Sequence, residues 1–177
     1  QVLHFPTKLD CDLSFRHGLS VENTKFLRFC LEVQPIMQPF ILILKEWLHY
    51  TKLSGRHIST YSLSMMVIFY FQMSGYFISV HELSQLAAGN LIIIDDWSIV
   101  DFNKISVQAV KKKVKNCDQS LKDLLIHFFV YYDRFNYEAD VVCPLLGRPI
   151  KKALFLNNPK GIDLPLEMSI YVKKNFT

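Results

Sequence analysis

Apolar residues fall at helical spacing over most of the chain and alternate only near its start. Ile36, Phe40, Ile43, Leu44, Trp47 and Leu48 recur at steps of three and four, which predicts an amphipathic helix running to about Tyr50. Leu121, Leu124, Leu125, Phe128, Phe129 and Tyr132 fit the same template and predict a second long helix. Between them, the stretch from Tyr61 to about Met73 is apolar nearly all round, so it is predicted as the central core helix, capped by Ser59 or Thr60. Shorter helices are expected after Asn23-Thr24, where Phe26, Leu27, Phe29, Cys30 and Leu31 give a capped segment broken by Pro35. Two more are expected over Val80 to Ala88 and from a Ser106 cap through Val107, Val110 and Val114.

The period changes at the front. Val2 to Phe5 is a short apolar run closed by Pro6, and Lys8 to Phe15 then alternates, with Leu9, Cys11, Leu13 and Phe15 on one face. Two strands joined by a tight turn are expected there. Leu91 to Ile94 and Asp140 to Pro144 are further strand candidates, Leu146-Gly147-Arg148-Pro149 is a turn, and Asn157 to Thr177 is irregular with a final helix near Glu167. The sum is a mostly α protein of the α+β class: a helical body with a small β element at the front. No internal repeat, low-complexity segment or clear linker interrupts it.

Composition agrees with a packed domain. Half of the 177 residues are apolar, with fourteen Phe and eight Tyr, enough for a sizeable core and too many for a disordered chain. No apolar run approaches the roughly 20 residues of a membrane span, and the longest, Met65 to Phe71, is a core helix segment. The formal charge of +4 permits a polyanionic partner and equally serves solubility. Lys111, Lys112, Lys113 and Lys115 form either a solvated face or an RNA contact. Cys11, Cys30, Cys117 and Cys143 show no zinc or paired spacing, which predicts a reduced intracellular chain without disulfides or a structural metal. The chain shows no initiator Met and no charged-then-apolar leader, so targeting information is expected to be absent or removed.

Few residues suggest chemistry on their own. Alternation puts Asp10, Asp12 and Ser14 on the polar face of the second strand, a metal-binding pair or an ordinary solvated edge. Asp95-Asp96 are adjacent, hence on opposite faces of extended chain, and are expected in a solvated turn. Lys45 and His49 stand four apart and share one helix face.

The order of four blocks carries a resemblance. Cys11-Asp12-Leu13-Ser14-Phe15 is followed by Asn23-Thr24, then by Leu44-Lys45-Glu46-Trp47, then by Ser59 to Ile68. With Leu124 to Tyr132 and Gly147-Arg148-Pro149 behind them, they resemble the template-independent RNA 3′-terminal nucleotidyltransferases, the poly(A) polymerases and terminal uridylyltransferases. The likeness covers nearly the whole chain and only the later part of that family's catalytic module.

The resemblance implies a palm-like lobe, here residues 1–24, and a helical central and poly(A)-polymerase-associated lobe, residues 25–177, with a nucleotide cleft between them. In such enzymes three carboxylates hold two Mg²⁺ or Mn²⁺ ions that activate the RNA 3′-hydroxyl and stabilise the leaving pyrophosphate. Asp12 matches the third carboxylate, catalytic and metal-binding. The first two follow a Gly-Ser as an Asp-x-Asp pair on another strand, and no such arrangement precedes Asp12 here. Asp10 shares a strand with Asp12 and does not match that pair. Asn23 and Thr24 match the positions that read the ribose and base edge, and a helix cap is their ordinary role. Lys45 matches a triphosphate lysine, His49 stands where its partner lysine would be, Thr60 stands at a phosphate-contacting Ser, and Tyr61 matches the aromatic that stacks on the base. An ordinary core tyrosine is the alternative for Tyr61.

Departures accompany the matches. Arg16-His17 replace an Asn-Asn, and Ile170-Tyr171 replace the His-Asn that helps select uracil, so uridine selection by that route is not expected. The expectation is therefore a nucleotidyltransferase-like protein without the paired carboxylates. Such a chain would be inactive by itself, would bind a nucleoside triphosphate and RNA or act as a scaffold, and would self-associate as a homodimer. Its expected compartment is the cytoplasm or mitochondrion. The alternative is a portion of an active Mg-dependent adenylyl- or uridylyltransferase.

Overall fold

A computed structural model of the chain describes residues 2–11, 18–53, 58–87, 90–94 and 97–153. The expectations for Asp12 and its pairing with Asp10, for Arg16-His17, for Asp95-Asp96 and for the final stretch lie outside those residues. Six helices carry the described fold: α1 (Leu19–Val33), α2 (Met37–Tyr50), α3 (Thr60–Met73), α4 (Val80–Leu86), α5 (Val107–Lys111) and α6 (Leu121–Asp133). Six short strands pair as three separate antiparallel ribbons. They are β1 (Val2–His4) with β2 (Leu9–Cys11), β3 (Leu91–Ile94) with β4 (Trp97–Val100), and β5 (Asp140–Val141) with β6 (Ile150–Lys151). The fold is thus mostly α within the α+β class.

α3 is the axis of the core. Leu63, Val67, Ile68, Phe69 and Phe71 are all at most 1% exposed, as its nearly uniform apolar surface requires. Phe40, near the start of α2, meets Phe71, near the end of α3, at 6.1 Å between ring centroids, so the two helices run in opposite senses. Phe128 of α6 closes the triangle, 5.5 Å from Phe40 and 5.6 Å from Tyr70. The Tyr132 hydroxyl donates to the Met66 carbonyl at 2.7 Å, tying α6 to α3. Pro39 is accommodated in α2 because it sits in the first turn, where its missing N–H has no intrahelical partner.

The helix predicted to start after Asn23-Thr24 starts a turn earlier. α1 opens at Leu19 from Gly18, whose extended backbone supplies no side-chain cap, so Asn23 and Thr24 lie inside the helix and cap nothing. The buried stripe explains the difference: it begins at Glu22 and continues through Phe26, Phe29, Cys30 and Val33. A carboxylate stands in the first core-facing position, neutralised by Lys25 at 2.7 Å.

Two further corrections concern β structure. β4 was not expected, since a four-residue strand interrupted by Ser98 gives little periodic signal. It pairs fully with β3, Leu91 opposite Val100 and Ile94 opposite Trp97. The strand expected over Asp140 to Pro144 ends at Val141. Beyond it, Pro144 and Leu145 present their carbonyls to the first N–H groups of α4, Val80 at 3.3 Å and His81 at 2.9 Å, and so leave the ladder.

Two buried glutamines join distant segments. Gln34 donates to the Tyr76 and Lys115 carbonyls at 2.9 and 2.8 Å, and Gln72 to the Ile78 and Pro144 carbonyls at 2.9 and 2.8 Å. Each occupies two loop carbonyls that burial would otherwise leave without water.

Candidate nucleotide site

The first turn of α3 is built by its cap. Ser59, in extended backbone, accepts from the Ser62 N–H at 3.0 Å, which fixes Thr60 and Tyr61 as the first two helical residues. Thr60 is exposed, at the positive end of a fourteen-residue helix where an anion is favoured. Tyr61 is 38% exposed, unlike the core aromatics that follow it, so the core-tyrosine alternative does not hold.

Tyr61 reaches across to α1. Its hydroxyl donates to Asn23 Oδ1 at 3.3 Å, joining two residues 38 positions apart. Asn23 is half-buried, while Thr24 beside it is exposed, its hydroxyl donating to the Ser20 carbonyl at 3.0 Å. The Tyr61–Asn23 bond therefore brings together two of the residues that the sequence singled out, on different helices, at one open edge of the core.

Lys45 and His49 occupy the last two turns of α2. Because α2 and α3 are opposed, that end of α2 lies beside the start of α3. Trp47 leans on Phe129 of α6 at 4.8 Å, and Lys45 and His49 are turned about 160–200° from it around the helix, on the side away from α6. Both are exposed, and neither side chain makes a hydrogen bond or ion pair among the described residues. Lys45, His49, Thr60 and Tyr61 thus share one end of the α2–α3 pair, and the hydrogen bond to Asn23 adds α1 to it.

Glu22 is the residue that sequence reasoning passed over. It is 3% exposed, immediately precedes Asn23, and holds Lys25. Its signal was readable: counting back from Phe26 and Phe29 by the helical step places a carboxylate on the core stripe.

The metal expectation finds no support here. Among the described residues no three His, Cys, Asp or Glu side chains cluster as a metal site would require. Asp12 lies outside those residues, and the groups around Tyr61 are hydroxyls, an amide, an imidazole and an ammonium, which suit a sugar and phosphates better than a divalent cation.

No profile of a known protein family matches the chain. Individual relatives do. Poly(A) RNA polymerase cid11 of Schizosaccharomyces pombe is 31% identical over 169 residues, an alignment covering 89% of this chain and 33% of that protein. The chain is a relative of the poly(A) polymerases. Poly(A) RNA polymerase gld-2 homolog A of Drosophila melanogaster is 28% identical over 162 residues, covering 87% of the chain and 12% of the relative. A speckle targeted PIP5K1A-regulated poly(A) polymerase of Danio rerio is 27% identical over 149 residues, covering 78% and 18%. The chain thus spans a third or less of these polymerase relatives. Among solved structures, mtPAP in complex with UTP superposes with a TM-score of 0.70 at 21% identity, over 97% of this chain and 39% of mtPAP. The complex of mtPAP with GTP gives 0.69 at 23% identity, over 84% and 33%. The helical fold around Tyr61 is therefore a poly(A)-polymerase fold.

Proposed function

We propose that these residues form the nucleotide-recognising helical part of an RNA 3′-end nucleotidyltransferase-like protein. The Tyr61–Asn23 hydrogen bond carries this reading, because it joins the base-stacking and ribose-reading positions that the family resemblance singled out. In it, the Tyr61 ring stacks on the base while its hydroxyl holds the Asn23 amide oriented toward the ribose. Thr60, at the α3 N-terminus, and Lys45 take the phosphates, and His49 adds a hydrogen bond where a second cation would bind more strongly. Thr24 assists at the sugar. The ligand class is a ribonucleoside triphosphate, consistent with the GTP, UTP and CTP complexes of mtPAP, and Ile170-Tyr171 do not offer the His-Asn route to uracil selection.

In this reading residues 1–24 are the remnant of the palm-like lobe and residues 25–177 make the helical lobe. The 177 residues contain no Gly-Ser followed by an Asp-x-Asp pair, so in isolation they bind nucleotide without transferring it. In this reading Asp12 would hold Mg²⁺ or Mn²⁺ only beside carboxylates that these residues lack; the ions would activate the RNA 3′-hydroxyl. The 177 residues thus act as a binding or scaffolding element, in the cytoplasm or mitochondrion; among the relatives is a mitochondrial poly(A) RNA polymerase of Drosophila melanogaster. No helix among the described residues is long and apolar enough to cross a membrane.

The test is a fluorescence titration with ATP and UTP. Tyr61→Ala is expected to weaken binding by about fivefold or more, the equivalent of roughly 1 to 3 kcal/mol of base stacking. Wild-type protein that binds neither nucleotide would contradict the proposal. In a primer-extension assay with Mg²⁺, the isolated 177 residues are expected to add no nucleotide; tailing that persists in Asp12→Ala would contradict the place given to Asp12.

A further inference from the structure

At the far end of α1 from the nucleotide site lies a second cationic feature. Lys111, Lys112, Lys113 and Lys115 are all exposed, and none of their side chains has an ion pair or hydrogen bond among the described residues. Of the neighbouring acids, Glu32 pairs with Arg28 at 3.0 Å, and Asp118 accepts from the cleft-lining Asn116 at 2.6 Å while pairing with none of the four lysines. One lysine at the C-terminus of a five-residue helix would balance its small dipole, and four exceed that need.

The cluster is held in place from within. Val110 is fully buried beneath α5, and the Lys115 N–H donates to the Gly75 carbonyl at 3.0 Å. Gln34 holds the Lys115 carbonyl at 2.8 Å. Beside the lysines opens a cleft of about 290 Å³ lined by Gln34, Pro35, Lys111, Lys115 and Asn116, among others. Unpaired ammonium groups on an anchored backbone, beside a cleft of mixed polar and apolar lining, match a polyanion whose charges repeat along a chain.

We propose that this cluster and its cleft dock the phosphate backbone of single-stranded RNA. A membrane surface fits less well. A surface-seeking segment needs exposed apolar residues beside its cations, and no large apolar side chain between residues 95 and 125 is exposed among the described residues. The choice of RNA as occupant rests on the nucleotidyltransferase-like reading given above; the location of the site does not. Asn23 and Val33 are ten residues apart on α1, so the cluster lies about 15 Å along the helix from Asn23.

The experiment is fluorescence anisotropy of a 5′-fluorescein oligoadenylate 15-mer with the full chain, titrated at several KCl concentrations. Replacing all four lysines by Gln is expected to reduce the slope of log affinity against log salt by about 2 to 3, at roughly 0.7 for each phosphate no longer neutralised. Affinity at about 0.1 M salt should fall more than tenfold by the same relation. Lys112→Gln/Lys113→Gln, which leaves the cleft-lining lysines intact, should show about half the slope change. The corresponding four Lys→Arg changes should preserve it. A control variant at three other exposed lysines, Lys52, Lys122 and Lys152 to Gln, should change the slope by less than about one unit. An unchanged slope in the cluster variants overturns the proposal, and so does an equal loss in the control. Loss of binding to phosphatidylserine vesicles with RNA affinity retained overturns it in favour of a lipid surface. The cluster variants should keep wild-type ATP affinity and Tyr61→Ala should keep the wild-type salt slope, so failure of the nucleotide site and failure of this one are separable.

Discussion

Gly147 occupies a left-handed backbone, φ +62°, and a Cβ there would stand 3.1 Å from the Cβ of Ser79. That approach is to the residue that caps α4, where Ser79 and Glu82 form a reciprocal capping box. Gly147→Ala therefore combines the conformational cost of about 1–2 kcal/mol with a push on the cap. A loss of at least that size is expected in a urea unfolding series, and a variant as stable as wild type would show that the close approach is relieved without cost. Tyr61 belongs to the same scale. The sequence marked its ring through a resemblance, but its partner Asn23 is 38 residues away, and only the opposed packing of α2 and α3 beside α1 decides that they meet. Glu22 was open to prediction from the Phe26–Phe29 stripe and was hidden because a carboxylate does not register as a core position.

Helices α2, α3 and α6 were legible because their apolar stripes run unbroken for three turns or more, which outweighs end effects. The start of α1 and the strand β4 were not, since one depends on a buried ion pair and the other on a partner strand. The union of α3 and α6 offers the clearest pH test. Burial, with smaller effects of Tyr131 and Tyr137, holds the Tyr132 hydroxyl well above the ordinary 10.0, so the folded state keeps it neutral where the unfolded chain would ionise it. The raised value means that its contribution is complete below pH 10 and is lost as pH rises above it. Tyr132→Phe is expected to cost about 1 kcal/mol at neutral pH through the lost bond to the Met66 carbonyl. It should also flatten the alkaline decline by up to about 1.4 kcal/mol per pH unit. Denaturant titrations at pH 8 to 11 check both, and an alkaline slope equal to wild type would contradict the assignment. Burial also raises the hydroxyls of Tyr70, Tyr131 and Tyr137, so some decline remains in the variant.

At the scale of the molecule, the β1–β2 ribbon presents exposed apolar side chains. Leu3 and Phe5 are 46% and 72% exposed, and among the described residues no third strand pairs with this ribbon. A symmetric dimer through this ribbon is expected. Light scattering at micromolar concentration should give twice the 20.7 kDa chain mass, and Phe5→Ser should return it to that mass. A wild-type monomer would rule out the dimer and leave the nucleotide site untouched.

That site is the claim on which the rest depends, and a double-mutant cycle read by calorimetric titration with ATP tests it most directly. Wild type, Asn23→Ala, Tyr61→Ala and the double variant are compared. If the two side chains form one site joined by their hydrogen bond, the double variant loses less than the sum of the single losses, with a coupling of about 0.5 kcal/mol or more. Additive losses, or a wild-type protein that gives no binding heat while remaining folded, would contradict the shared site.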